Sequence, residues 1–164
     1  MTKYSADVSD ITRLPDVLRQ AFRAATTDTP GPVHIQLPGH IGEFDVQEGD
    51  FEVMPEERFG QTPPFRPEPD AQSVADVARI LEAAKRPIIL ADGGLRTSGS
   101  GAELIALAEK LAIPVATSMN AKDTIPGDHP LSVGIPGLYC RKSASRAVLE
   151  GDLVFFVGTI PAAR

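Results

Sequence analysis

An apolar run that ends in a pair of glycines constrains this chain more than any other feature. The segment from Arg86 to Leu95 reads Arg-Pro-Ile-Ile-Leu-Ala-Asp-Gly-Gly-Leu. Its four consecutive apolar residues, 88–91, are typical of a parallel strand that is covered on both faces. A second strand pattern over 113–117 follows after a helical pattern, within about 30 residues of the first. The segment therefore predicts a βαβ unit whose glycine turn lies at the carboxyl edge of a parallel sheet, where α/β proteins bind ligands.

Helical and strand patterns alternate through the second part of the chain. Apolar residues at helical spacing predict helices, and short apolar runs predict strands. The predicted helices are 70–85, 101–111 and 142–150, and the predicted strands are 87–91, 113–117 and 153–157. This alternation is characteristic of an α/β fold with a doubly wound parallel sheet. Because three or so strands make a thin sheet with an unprotected edge, we expect a truncated domain.

The first part of the chain predicts an N-terminal helix–strand arm. A helix is indicated over 14–26 and a strand over 33–37, with no sheet evident for that strand to join. From Glu43 to Pro69 the sequence is acidic and rich in proline, as an extended linker would be. We therefore divide the chain into three parts, which are 1–48 for the arm, 49–68 for the linker and 69–164 for the α/β domain.

Composition excludes several classes of protein. With 42% hydrophobic and 23% charged residues, the chain is typical of a globular protein and not of a disordered one. Its net charge of -6 and the absence of a Lys/Arg cluster argue against nucleic acid as a partner. No apolar run approaches the roughly 18 residues of a membrane helix, and the N-terminus lacks a signal-peptide core. Cys140 is the only cysteine, which fits a reducing compartment, so we expect a cytoplasmic location.

Two separate parts of the chain resemble the thiamine-diphosphate-dependent decarboxylase and carboligase family, which includes acetolactate synthase. Residues 14–38, ending in Pro-Gly-Pro-Val-His-Ile-Gln-Leu-Pro, are similar to the last helix and strand of the pyrimidine-binding domain. Residues 84–117, 129–134 and 151–158 are similar to the opening two-thirds of the Rossmann-like central domain. The resemblance implies a parent enzyme, a transferase or lyase, that acts on 2-keto acids with thiamine diphosphate and magnesium.

The resemblance also indicates what the chain lacks. In this family the activating glutamate lies early in the pyrimidine-binding domain, and a Gly-Asp-Gly motif in the C-terminal domain holds the metal and diphosphate. Neither region is represented here, so we assign no catalytic residue and no metal ligand. We expect a chain that is not catalytic alone and that works with the remaining domains of a larger enzyme. The alternative is a non-catalytic nucleotide-binding, structural or oligomerisation module.

Some members of the family hold FAD or the ADP part of a nucleotide on the central domain. The positions that the resemblance implies for such a site are Gly93, Gly94, Arg96, Thr117, Ser118, Met119, Gly134 and Gly137. Glycines allow backbone N–H groups to approach a pyrophosphate, and an arginine could pair with it. The competing interpretation is that the glycines only turn a strand into a helix. Asp92 favours this second interpretation, because a carboxylate repels a pyrophosphate.

Self-association is the last expectation. An apolar face of the arm, which includes Val17, Leu18, Phe22, Val33, Ile35 and Leu37, needs a cover, and so does the sheet edge at 153–157. A linker of roughly 25 residues would let the arm reach a neighbouring molecule, so we expect a homo-oligomer.

Overall fold

The computed structural model describes residues 1–37, 52–138 and 140–159. These form two compact units, one within 1–67 and the other within 68–164. The predicted boundary between arm and linker, at 48/49, lies outside the described residues.

The first unit is a small β–α–β structure. Strand β1 (Tyr4–Asp7) pairs in parallel with β2 (Val33–Gln36), with Tyr4 opposite Val33. Between them runs helix α1 (Leu14–Thr26), which has a proline in its first turn, a position where a missing N–H costs nothing. Val17 and Ala21, four residues apart and so on one face of α1, are buried.

The prediction of an arm without a sheet was wrong, because strand β1 pairs with β2. The sequence Tyr-Ser-Ala-Asp has only four residues, half of them polar, and does not stand out as a strand on its own. It forms because β2 offers it a parallel partner and α1 covers the pair. Lys3, next to β1, ties the unit together by donating from Nζ to the carbonyls of Thr27 (2.5 Å) and Thr29 (2.9 Å) at the end of α1. A cation at that position also complements the helix dipole.

Residues 52–67, assigned to the linker from sequence, contact α1. Arg23 of α1 donates two hydrogen bonds to the carboxylate of Glu56, the Nε bond measuring 2.6 Å, and its guanidinium lies 5.5 Å from the ring centre of Phe59. That ring in turn meets Phe65 edge-on at 5.7 Å. A charge pair and an aromatic contact therefore group this stretch with the first unit.

The second unit is an α/β domain with a four-stranded sheet. Its elements, in chain order, are α2 (Ala71–Ala83), β3 (Pro87–Ala91), α3 (Gly94–Ser98), α4 (Gly101–Leu111), β4 (Val115–Thr117), β5 (Ser132–Gly134), α5 (Lys142–Glu150) and β6 (Leu153–Val157). The strands lie in the order β5-β4-β3-β6, and all neighbouring pairs are parallel. The predicted α/β class and its parallel sheet are confirmed.

Two short elements were not predicted. Strand β5 has three residues, Ser-Val-Gly, and helix α3 has five, so neither is long enough to show a period. Strand β5 makes the sheet one strand wider than expected. Helix α3 begins at Gly94, so the glycine pair leads directly into a helix.

The core of the second unit lies between the sheet and helices α2 and α4. Ile89 and Val115, on neighbouring strands, are fully buried and share one cluster with Leu104 and Ala108 of α4. Leu81 is the buried residue of α2 in the same cluster. Ile88, Ile89 and Ala91 of β3 are buried and Leu90 is partly buried, so the apolar run is covered on both faces but not uniformly.

Candidate functional site

The carboxyl ends of all four parallel strands meet at one edge of the sheet. Chain order reverses there, because β4 and β5 extend the sheet on one side of β3, whereas β6 returns to its other side. Such a reversal separates the loops that follow the two strands and often opens a crevice for a ligand. The residues that follow β3, β4 and β6 are therefore the candidate site.

Asp92, the first residue after β3, is the centre of this edge. Its Oδ1 accepts hydrogen bonds from the backbone N–H of Gly93 (2.7 Å) and the hydroxyl of Ser118 (2.5 Å), which follows β4. Its Oδ2 accepts from the hydroxyl of Thr159 (3.3 Å), two residues after β6. The hydroxyl of Ser118 and the amide of Gly93, with a smaller contribution from Thr159, hold the pKa of Asp92 below its ordinary value. One ionised carboxylate thus connects the ends of three strands.

The glycine turn after β3 is packed against the end of β6. The N–H of Gly94 donates to the carbonyl of Gly158 (2.9 Å), and a Cβ on Gly94 would lie 2.7 Å from the Cα of Gly158. Gly94 is therefore required for a close approach between two backbones. The crevice expected between the β3 and β6 loops is filled at this point by the chain itself.

The amide groups of the turn are already in use. Gly93 N–H donates to the carboxylate of Asp92, Gly94 N–H to the carbonyl of Gly158, and Leu95 N–H to the carbonyl of Asp92 (3.0 Å). A pyrophosphate at this turn would need these donors and would meet the carboxylate of Asp92. The residues present do not fit a pyrophosphate here.

The other predicted site residues near this edge differ in solvent exposure. Arg96 is exposed on α3, whereas Thr117, the last residue of β4, is 4% exposed. Ser118 is half-buried and Met119, in the 3₁₀ turn that follows, is 60% exposed. The structure therefore brings Ser118 into direct contact with Asp92 and leaves the side chains of Arg96 and Met119 at the surface.

Gly134 and Gly137 belong to a different place. Gly134 ends β5, two strands away from β3, with φ of +91°, and Gly137 lies in the following loop with φ of +107°. A Cβ on Gly134 would lie 2.8 Å from the Cδ of Arg141. The N–H of Arg141 donates to the carbonyl of Ile135 (3.1 Å), which closes the loop. Both glycines thus adopt a positive φ, which favours glycine at these positions. The sequence did not predict Arg141 as the neighbour of Gly134 or Thr159 as the neighbour of Asp92.

Other candidate chemistry is absent from the part of the chain that the structure describes. Among residues 1–37, 52–138 and 140–159, no group of three His, Cys, Asp or Glu side chains could hold a metal ion. Within those same ranges no helix is long and apolar enough to cross a membrane. A cavity of about 550 Å³ lies at the opposite, amino edge of the sheet, between Lys85, Pro114 and Gly151. The predicted site and this cavity are therefore at different ends of the strands.

The fold and this edge define a Rossmann-like central domain with a filled crevice. The family described as "Thiamine pyrophosphate enzyme, central domain" matches residues 74–162. The chain therefore belongs to the thiamine pyrophosphate enzyme family, which confirms the resemblance seen in the sequence.

Relatives extend the similarity over both units. The protein of Methanocaldococcus jannaschii named "Probable acetolactate synthase large subunit" is 37% identical over 162 residues, which are 96% of this chain and 27% of that protein. The acetolactate synthase isozyme 1 large subunit of Escherichia coli K12 is 34% identical over 161 residues, with the same two coverages. The crystal structure of benzoylformate decarboxylase from Polynucleobacter necessarius is similar in fold, with a TM-score of 0.73, 24% identity, and coverage of 96% of this chain and 28% of that one. The chain thus spans a little over a quarter of the length of these relatives.

Proposed function

We propose that this chain is a segment of an enzyme that decarboxylates 2-keto acids and joins or otherwise transforms the product, as acetolactate synthase does. The observation that supports it is the similarity to two acetolactate synthase large subunits along 96% of the chain, across both units in the same order. A similarity confined to the α/β unit would support only a shared domain.

In this proposal the segment does not catalyse the reaction alone. The thiamine diphosphate and magnesium of the parent enzyme need an activating carboxylate and a set of oxygen ligands. The 164 residues contain no Gly-Asp-Gly sequence, and the described residues contain no acidic cluster that could hold the metal. The residues present therefore do not fit the cofactor, and the remaining domains of a larger enzyme would have to supply its site.

Calorimetry tests this part of the proposal. Titration of the 164-residue chain with thiamine diphosphate and magnesium should give no saturable heat, whereas a full-length acetolactate synthase should bind under the same conditions. A micromolar dissociation constant for the chain would contradict the proposal. The reading frame that encodes the chain gives a second test, since an upstream catalytic glutamate and a downstream Gly-Asp-Gly would support the enzyme.

The second candidate is a structural module, and one observation favours it over a nucleotide-binding module. All three amides of the glycine turn have partners within the chain, and Asp92 joins the ends of three strands. We propose that Gly93, Gly94 and Ser118 hold the sheet edge together and do not bind FAD or ADP. A natural stop after Arg164 together with a stable chain that binds no nucleotide would support this module.

A further inference from the structure

His129 lies in the loop between β4 and β5, and both nitrogens of its ring are engaged. Nδ1 accepts a hydrogen bond from the backbone N–H of Leu131 (3.2 Å), and Nε2 lies 3.1 Å from Oε1 of Glu109 on α4. The side chain of His129 is 16% exposed, so most of the ring is shielded from water, whereas Glu109 is at the surface. The keto-acid chemistry proposed above does not use this histidine.

The two contacts determine which ring nitrogen of His129 carries the proton. A backbone N–H can only donate, so Nδ1 presents a lone pair to Leu131. In a neutral imidazole the proton then lies on Nε2, which donates it to the carboxylate of Glu109. The ring of His129 is therefore neutral, with its proton on Nε2.

The backbone around His129 also fixes the start of β5. The carbonyl of His129 accepts from the N–H of Ser132 (2.9 Å), the first residue of β5. Leu131 lies between them, and its carbonyl accepts from the N–H of Val115 (2.8 Å), the first residue of β4. Hydrogen bonds therefore connect Glu109 on α4, the ring of His129, Leu131 and the start of β4.

We propose that the ring of His129 and the amide of Leu131 form a proton-sensitive latch on β5. The neutral ring holds the amide, and a proton on Nδ1 turns this acceptor into a donor that faces another donor. The amide of Leu131 is then released, while the contact with Glu109 becomes an ion pair and keeps the ring in place. Histidine is the side chain that ordinarily changes charge between about pH 5 and 8, so an imidazole suits such a latch.

The release is local, because Leu131 has further contacts. Its side chain packs against the core of the α/β unit, and its carbonyl keeps the bond from Val115. Protonation of His129 therefore opens one amide at the start of β5 and does not unfold the sheet. The latch is independent of the keto-acid chemistry proposed above.

Glu109 is the charged group that meets the ring of His129. Strands β4 and β5 carry no ionisable side chain. The neighbouring charged residues of α4 and of the loop are exposed, and within the described residues they form no ion pair; they are Lys110, Lys122, Asp123 and Asp128. A test must therefore separate the charge of His129 from that of Glu109.

Nuclear magnetic resonance on the 164-residue chain tests the latch. The ring nitrogen shifts of His129 should show the proton on Nε2 at neutral pH and then report protonation of Nδ1 as the pH falls. Over the same pH range the protection of the Leu131 amide, corrected for the intrinsic exchange rate at each pH, should fall by about fivefold or more, as expected for one lost hydrogen bond. The amide of Ile89, which donates to the carbonyl of Pro114 (2.9 Å), is the internal control and should keep its protection.

Three variants assign the effect to His129. Asparagine places an acceptor that does not titrate before the N–H two residues on, so His129→Asn should protect the Leu131 amide at every pH. Glu109→Gln removes the neighbouring charge, and Leu131 should still lose protection when the ring is protonated. His34→Asn changes an exposed histidine of the first unit and is the matched control, which should behave as the original chain does.

A proton on Nδ1 at neutral pH, or Leu131 protection that stays constant while the ring of His129 titrates, would overturn the proposal. The same pH-dependent loss in His129→Asn would also overturn it, since another group would then be the sensor. Loss of the pH dependence in Glu109→Gln would assign the effect to the carboxylate and would likewise refute the latch. The titration of the original chain decides the matter even if His129→Asn does not fold.

Discussion

Gly94 and Gly158 lie so close together that a Cβ on the first would stand 2.7 Å from the Cα of the second, and the Gly94 N–H donates to the Gly158 carbonyl over 2.9 Å. This contact joins the loop after β3 to the loop after β6. It accounts for the glycine as a packing requirement at the sheet edge.

Gly94→Ala should destabilise the α/β unit. The added methyl group meets backbone atoms of Gly158, which cannot move aside as a flexible side chain could, so we expect a loss of about 1–3 kcal/mol in the free energy of unfolding. Thermal and urea unfolding would measure it. Gly127→Ala is the matched control, because nothing lies within 4 Å of its Cβ position, and it should change stability little. Equal stability of the two variants would contradict the packing role of Gly94.

Asp92→Asn should lower stability at neutral pH and less so in acid. The pKa of Asp92 lies below its ordinary value because Ser118 and Gly93 donate to the carboxylate, so the ionised form is favoured in the folded state. Its contribution is present above the unfolded pKa of about 3.8 and is lost as the pH falls through the lower folded pKa. Unfolding of both proteins between pH 3 and 7 would measure this. A difference that stays constant over the whole range would show that the charge of Asp92 does not matter.

Asp152→Ala should lower the melting temperature, because it removes two hydrogen bonds to the residues just before β3. The carboxylate of Asp152 accepts from the amides of Lys85 and Arg86, which also lower its pKa, and it thereby joins β6 to the residues that precede β3. Asp123→Ala, at an exposed loop position, serves as the comparison. We expect hydrogen exchange at the amides of 85 and 86 to accelerate only in Asp152→Ala, and protection that survives this substitution would refute the role.

FAD should neither colour the purified chain nor raise its melting temperature. A ligand that binds the folded state stabilises it by RT ln(1 + [L]/Kd), so a specific site would be detectable by thermal shift. If Asp92 is what excludes the nucleotide, Asp92→Gly should increase any shift, since it removes the carboxylate and frees the amide of Gly93. A saturable shift in the original chain would contradict the structural interpretation of the glycines. An unchanged shift in the variant would remove Asp92 from the explanation.

Long elements with a strong apolar period were predictable from the sequence. Helix α1, strand β3 and helix α4 begin and end at the predicted residues, because each has enough turns or consecutive apolar residues to show its period. Strands β1 and β5, with four and three residues, were not predicted. Their stability depends on pairing with strands that are distant in the chain, and the local sequence does not indicate those partners.

The same limit applies to the candidate site. From sequence, Asp92 indicated only that a pyrophosphate would be repelled. Its bond to Thr159 joins residues 67 positions apart, and its bond to Ser118 joins residues 26 positions apart. Neither partner has a motif that pairs it with Asp92, so both relationships needed the sheet order.

The sequence by itself determined that this protein has an α/β domain with a glycine turn after its first buried strand, and which family it belongs to, because periodicity and motif residues are local properties. Only the tertiary structure decided that β6 returns to the far side of β3. That placement brings Gly158 against Gly94 and Thr159 to Asp92, so the edge is filled by the chain's own backbone and carboxylate. The physical reason is that a glycine or an aspartate is chemically versatile, and what it does depends on which groups the fold places within hydrogen-bonding or van der Waals distance of it.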